Sequence, residues 1–400
     1  MKVEQIVTLI NSITSELTGK TDLVQEDLSN VVDVGVELFD STSVDNYVKS
    51  LVNKIGKTIF VNRPYSGNVP SVLMDSWEFG SVLEKIQADI PDAIENDSWD
   101  LKNGETYNQD VFYKPSVSAK FFNKRVTFEI PMSFTEMQVK ESFTSANQLN
   151  GFLTMLYNSV EKSITVKIDS LVMRTINNMI AETIYNDLYD ATTEEVVYTE
   201  SGVKAVNLLA MYNTKFTKTL TPATAITDSE FLKFAGYTMQ LYIDRLSKMS
   251  TLFNVGAKER FTPNDMLKIV LLSEFKASVS SYLQADTYHE NLVSLPNAES
   301  VPYWQGSGKS YAFADTSTIN VSLPSVTVDV GGTPTVVTRE VSTGGILGVM
   351  FDRDALGVTN LDRRVTTNYN AKAEFFNNYY KFDSGYFNDL NENFVVFFMA

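Results

Sequence analysis

Between residues 142 and 180 the apolar side chains Leu149, Phe152, Leu153, Leu156, Val160, Ile164, Ile168, Leu171, Val172, Ile176, Met179 and Ile180 return every three or four positions. That period lays them along one face of a helix. The stretch has no proline, and its single glycine, Gly151, lies near its start. At 1.5 Å per residue the helix would run roughly 50 Å, several times the usual three turns. Two capping boxes precede it. Thr135 with Gln138 would start a short helix, and Ser145 with Gln148 the long one. The β-branched run "SITVKI" allows a local bend. The stripe is not a clean a/d heptad, which disfavours a coiled coil.

Helical spacing also covers 3–17 and 44–59, with acidic, turn-rich sequence between them. Pro64, Gly67 and Pro70 then break any helix, so the first sixty or so residues read as an arm. Residues 79–131 read as a long hairpin. "FGSVLEKIQADI" (79–90), which could equally be a helix, and "VSAKFFNKRVTFEI" (117–130) are its strands. Between them, 91–111 carries six acids against Lys102. A two-stranded ribbon has too little interior to hold itself. It must lie on another subunit or fold back on its own domain. Further on, 186–224 is polar, Thr-rich and irregular, 228–250 is helical, Thr262–Asp265 opens a short helix, and 268–275 is a buried strand. Residues 294–308 form a loop. Alternating valines about Gly331–Gly332 mark a hairpin over 326–340, 344–352 is a buried strand, and strand-like sequence continues to an end pinned in a sheet.

Four hundred residues suggest two or three lobes. The absence of cysteine excludes disulfides, thiolate metal sites and cysteine nucleophiles. The lone histidine, His289, lies in polar sequence and excludes multi-histidine metal sites. A net charge of −16, with eight acids and one base over 16–45, argues against a chain that grips nucleic acid. No run of 18 apolar residues is present, and the first residues read as an amphipathic helix, not a signal peptide. "GSGKS" (Gly306–Ser310) ends like a phosphate-binding loop, but Tyr303 stands where that motif needs glycine and Pro302 disrupts the preceding strand. Asp352 and Asp354 flank Arg353, with Arg363 and Arg364 close by, a setting that fits ion pairing better than a metal site. No residues combine as acid, base and nucleophile, so no enzyme, cofactor or metal is expected.

"RPYSGNVP…EFGSVLEKI" (63–86), "SFTEMQVKESFTSANQLNGFL" (133–153), "SLPNAESVPYWQG" (294–306), "GVMFDRDALGV" (348–358) and "YNAKAEFFNNYYKFDSGYFNDLNENFVVF" (369–397) follow in an order that resembles the major capsid proteins of tailed double-stranded DNA bacteriophages, closest in flavour to phages of Gram-positive hosts. The resemblance implies an α+β, Hong Kong 97-type capsid fold. Its parts would be an N-terminal arm (1–62), an extended loop (63–134, hairpin about 79–131), a peripheral domain with a spine helix (135–190), an axial domain (191–339) and peripheral strands (340–400). It further implies a virion protein, assembled in the host cytoplasm. Copies would form pentamers and hexamers of an icosahedral head, with portal and scaffolding or decoration proteins as partners. Packaged double-stranded DNA would be touched only non-specifically, and no membrane is involved. The acids Asp92, Glu95, Asp97, Asp100, Glu105 and Asp110 on the hairpin tip would meet a basic landing site including Arg353, Arg363, Arg364 and Lys372. Nothing identifies a Lys–Asn cross-linking pair. The alternatives are an encapsulin-like nanocompartment shell, a soluble nucleotide-binding enzyme using Gly306–Ser310, or a β-rich tail or adhesin component, which the uninterrupted helix speaks against.

Overall fold

The computed structural model describes residues 3–18, 24–25, 30, 32–36, 46–51, 72–74, 83–88, 93, 97–106, 110, 112, 114, 117–144, 146–284, 295, 298–304, 318–330 and 333–400. It is α+β, as expected. Among the described residues, helical turns at 32–36 and 46–51 accompany three longer helices: α1 (Val3–Thr18), α2 (Glu136–Ser142) and the spine α3 (Ala146–Leu188). At 43 residues α3 exceeds the expected length and spans about 65 Å. Its apolar stripe is buried as read, from Leu149 to Ile180, with Phe152 partly covered. In its second half the helix is enclosed on most sides, and Ser170, Thr175 and Thr183 are buried with it. Each of these hydroxyls donates to the carbonyl four residues back, which satisfies it without leaving the helix. The Thr135–Gln138 capping box forms at the start of α2 with both reciprocal bonds. Ser145, the other expected cap, lies outside the described residues.

The spine touches strands of the two larger sheets and of two smaller strand pairs. One of the larger sheets has the order β1 (Leu73–Met74), β13 (Leu356–Asn370), β14 (Phe375–Asn388), β4 (Arg125–Thr135). The other has the order β7 (Ala205–Asn207), β15 (Phe394–Phe398), β12 (Ile346–Asp352), β8 (Leu267–Leu272), β9 (Ala298–Val301). In the second sheet β12 and β15 are buried at every position, as the apolar runs Ile346–Phe351 and Phe394–Phe398 require. The pinned strand near the carboxyl end is thus present. The strand pair β10 (Ile319–Val330) and β11 (Thr333–Thr343) is the expected hairpin, with Val330 opposite Thr333 and two glycines between them. Arg339 ties this pair to the spine. Its guanidinium meets both carboxylate oxygens of Glu182 at 3.0 and 3.2 Å and donates to the Pro324 carbonyl.

Several expectations change. The hairpin is β2 (Leu83–Ala88) with β3 (Val117–Phe122), and residues beyond Lys124 leave it to become β4, which pairs with β14. The stretch 186–224 is more regular than its composition suggests. It holds the short pair β5 (Tyr189–Asp190) and β6 (Glu195–Val196), buried β7, α4 (Leu208–Phe216) capped by Asn207, and α5 (Pro222–Ala225). The helix α6 (Ser229–Leu246) matches its expectation, whereas Thr262–Asp265 forms a turn because the Thr262 hydroxyl goes to Asp352 instead of capping. The strand over 268–275 stops at Leu272, and α7 (Ser273–Gln284) takes up the rest. The loop 294–308 contains β9, with Trp304 buried and its indole N–H donating to the Ile346 carbonyl at 2.9 Å. A boundary at 339/340 would cut the five-stranded sheet, since β12 and β15 pair with β8 and β7. The described part of the arm packs down: Ile10, Ile13, Val48 and Leu51 are fully buried, and α1 lies against α3.

Candidate interaction surface

In the β2–β3 ribbon Lys85 stands opposite Lys120, and the two-residue period puts both on one face. That face meets the chain's own body. Lys85 Nζ lies 3.0 Å from Asp389 and 2.7 Å from Glu392, and Lys120 Nζ lies 3.0 Å from the other oxygen of Asp389. The Asp389 side chain is fully buried, and one of its oxygens also accepts the Asn391 N–H at 3.1 Å. Arg260 approaches Glu392 at 3.3 Å, and Phe122 packs on Phe387. Burial pushes Asp389 up, but the Lys85 charge and hydrogen bond, the Asn391 amide and Lys120 outweigh it and hold it below the usual aspartate value. For Glu392 burial prevails over Lys85 and Arg260, and the carboxyl sits above its ordinary value. Burial also raises Asp352, which accepts from Thr262 and from the Asp354 N–H. Burial draws Lys85 down, yet its bond to Glu392 and the charges of Asp389 and Glu392 leave it raised.

The opposite face of the ribbon, where Glu84 stands across from Phe121, carries exposed apolar side chains. Ile86 is 67%, Phe121 62% and Val117 60% exposed. Further out, Phe112 is 84% and Trp99 98% exposed. Protein ribbons ordinarily turn such residues inward. Covering what remains open on Ile86, Phe121 and Val117 is worth of the order of 1–2 kcal/mol each.

Of the acids expected at the tip, Asp100, Glu105 and Asp110 are exposed, Asp97 lies in the 3-10 turn Asp97–Trp99, and Asp92 and Glu95 fall outside the described residues. The four expected cations do not cluster. Arg353 precedes β13 and Lys372 follows it, so the whole 15-residue strand, about 50 Å, separates them. Arg353 is exposed, 3.8 Å from Asp354. Arg364 already serves its own sheet, 2.9 Å from Asp383. Burial pushes that aspartate up, but Arg364, Thr127 and Arg125 pull it below the usual range. Arg363 belongs to β13, with its side chain outside the described residues, and Lys372 is exposed in the β13–β14 turn. Sequence reasoning missed Lys85, Lys120, Asp389 and Glu392. The available signal was a single lysine in each of the two ribbon strands, Leu83–Ala88 and Val117–Phe122.

Among the described residues no group of three or more His, Asp or Glu could hold a metal, and no helix is long and apolar enough to cross a membrane. His289 and Gly306–Ser310 lie outside the described residues.

A family model described as Phi29-like phage major capsid protein matches residues 10–398. No curated protein matches the chain. Similar solved structures include the capsid of Staphylococcus phage Andhra, at 11% identity and a TM-score of 0.47, covering 85% of this chain and 87% of that one. The capsid of cyanophage P-SCSP1u overlaps at 11% identity and a TM-score of 0.43, covering 85% and 92%. The mature capsid of bacteriophage PhiM1 overlaps at 8% identity and 0.41, covering 85% and 87%.

Proposed function

This chain belongs to the Phi29-like phage major capsid protein family, and from that premise we propose how its copies meet. It is a structural protein of the icosahedral phage head and not an enzyme. Copies assemble into the multimeric shell of the virion. The family membership does not favour the nanocompartment or nucleotide-binding readings.

The β2–β3 ribbon rests its apolar face on a neighbouring copy within pentamers and hexamers. The observation that carries this is the ribbon's inverted amphipathy: its charged face is spent on Asp389 and Glu392 of its own chain, and Ile86, Phe121 and Val117 are left open. Symmetric repetition supplies each ribbon with the same landing surface. Acids of the tip, among them Asp92, Glu95, Asp97, Asp100, Glu105 and Asp110, set register against cations of the sibling. Arg353, Arg363, Arg364 and Lys372 then act as stations along β13, not as one patch. Exposed pairs contribute about 0–1 kcal/mol each, so apolar contact supplies the affinity. Portal, scaffolding or decoration proteins complete the head. The acidic chain leaves packaged double-stranded DNA without a tight grip, and assembly takes place in the host cytoplasm.

Phe121→Asp tests this. The ring is mostly in water in the single subunit, so melting of the unassembled protein should shift by no more than about 0.5 kcal/mol. Particle yield by sedimentation and electron microscopy should collapse. A normal yield of closed particles from Phe121→Asp would remove the proposal.

A further inference from the structure

The four-stranded sheet packs one face on the spine. On the other face, register sets the outward residues of β13, β14 and β4 side by side. Thr366, Tyr379 and Pro131 form one row, and Asn368, Asn377 and Ser133 the next. A third row, toward the β13–β14 turn, runs from Asn370 to Thr135. On the flanking strands β13 and β4 these positions are exposed, and on β14 they are half-buried between them. No position in the three rows is charged, in a chain of which 20% is charged and whose net charge is −16. Charges begin at the borders, where both signs stand together. In the row beyond Thr366, Lys381 lies 3.0 Å from Glu129, and Arg364 lies 2.9 Å from Asp383, on which Arg125 also acts. At the other end Lys140 lies 2.8 Å from Glu136, and the turn carries Lys372 and Glu374. The rows themselves offer hydrogen bonding of both kinds, since Asn, Ser, Thr and Tyr side chains each donate and accept. Ser133 already donates to Asn377 Oδ1 at 2.6 Å.

An icosahedral shell contains two-fold axes whatever its size, and at each one a surface meets its own copy. There any net charge of the surface faces the same charge again, and like charges set opposite each other are costly. A chain at −16 has few surfaces that can meet themselves on these terms. A charge-free face whose side chains both donate and accept is its own complement. We infer that this face of the sheet is the contact between two copies at the two-fold axes of the shell. The inference rests on the icosahedral shell and is independent of the ribbon contact. A ribbon tip that follows Arg353, Arg364 and Lys372 runs along β13 at the margin of the sheet and leaves Asn377 and Ser133 uncovered.

Three strands spaced by about 4.8 Å and three rows spaced by about 6.8 Å give roughly 300 Å² per copy. The total of about 600 Å² is below what holds a lasting dimer by itself. The contact therefore forms in the shell, where other contacts hold each copy as well, and not between free subunits.

The chain has no cysteine, so Asn377→Cys places a single thiol at the middle of the face. Assembled particles treated with a short bis-maleimide should give dimers joined at position 377 of both copies, and dispersed subunits about tenfold fewer. Asn368→Asp should lower the yield of closed particles about tenfold, and so should Asn368→Lys. Co-assembly of these two variants should give several-fold more particles than either alone, because opposite charges can then meet. An absence of dimers from particles would overturn the proposal, whether the thiol is shielded from a monofunctional maleimide or reacts freely with it. Equal dimer yields from particles and dispersed subunits would report chance encounter and would also overturn it. Normal particle yields from both charged variants, or no gain on mixing them, would do the same. Should Asn377→Cys fail to fold, Asn368→Cys, at an exposed position of the same row, carries the thiol under the same criteria.

Discussion

Asp389→Asn separates the ribbon's attachment from the rest of the fold. The wild-type carboxylate is fully buried and takes one lysine on each oxygen at 3.0 Å, joining both ribbon strands to one point of the body. Asparagine keeps the volume and can still accept the Asn391 N–H, but it loses the charge and turns an amide donor toward an ammonium. Breaking a buried pair by removing one partner costs about 3–5 kcal/mol. The cost here is smaller, because the Lys85 and Lys120 side chains retain 23% and 34% exposure and can turn to water, and Lys85 keeps Glu392 at 2.7 Å. About 2–3 kcal/mol is the reasoned figure, which raises the opening equilibrium of the ribbon roughly 30- to 150-fold. Hydrogen exchange on the unassembled subunit reads this directly. Amides of 83–88 and 117–122 should exchange faster by that factor, while those of 375–388 keep their protection. Unchanged ribbon protection would refute the idea that Asp389 anchors it, and uniform loosening would make Asp389 a general core residue.

Other outcomes follow from the same geometry. Reversing Arg363 and Arg364 to Glu should impair shell assembly and leave secondary structure intact. Because Arg364 also holds Asp383, Asp383→Asn is the control, and a normal particle yield from the double reversal would remove β13 from the landing surface. The thermal stability of the unassembled subunit should pass through a maximum in mild acid. Burial raises Asp352 and Glu392, so they favour the folded state below their ordinary values and lose that contribution as pH rises through their raised ones. Asp389 is lowered, so its contribution is present above the ordinary aspartate value and is lost as pH falls through its depressed one. Asp352→Asn should flatten the arm on the neutral side, and a curve superimposed on the wild type would deny Asp352 that role.

The parts legible in sequence were those where one periodicity runs long enough to leave no competing reading. The spine from Leu149 to Ile180, the valines of β10–β11 and the unbroken apolar runs of β12 and β15 are of this kind. Boundaries failed where strand sequence continues across a change of partner. Nothing in "VSAKFFNKRVTFEI" marks Asn123–Lys124 as the point where one sheet is left for another, because both halves have strand composition. The helix α4 was hidden by threonines on either side, and β9 by the prolines around it. The clasp lay beyond reach for a simpler reason. Lys85 and Glu392 are 307 positions apart, and charge in a linear chain does not say which distant partner it will find. The division at 339/340 failed in the same way, since β12 and β15 join strands numbered far below them.

The four-stranded sheet carries a consequence for how the protein is made. β4 ends at Thr135 and its partner β14 begins at Phe375, about 240 residues later. At a ribosomal pace of about 5–20 residues per second, β4 waits roughly 12–50 s for the strand that covers its edge. The amphipathic ribbon emerges even earlier, before Asp389 exists to hold it. A polysome making this protein therefore displays many sticky, unfinished chains side by side. Shielding of nascent chains, by chaperones or by spacing along the message, should limit the yield of subunits before any question of shell geometry arises.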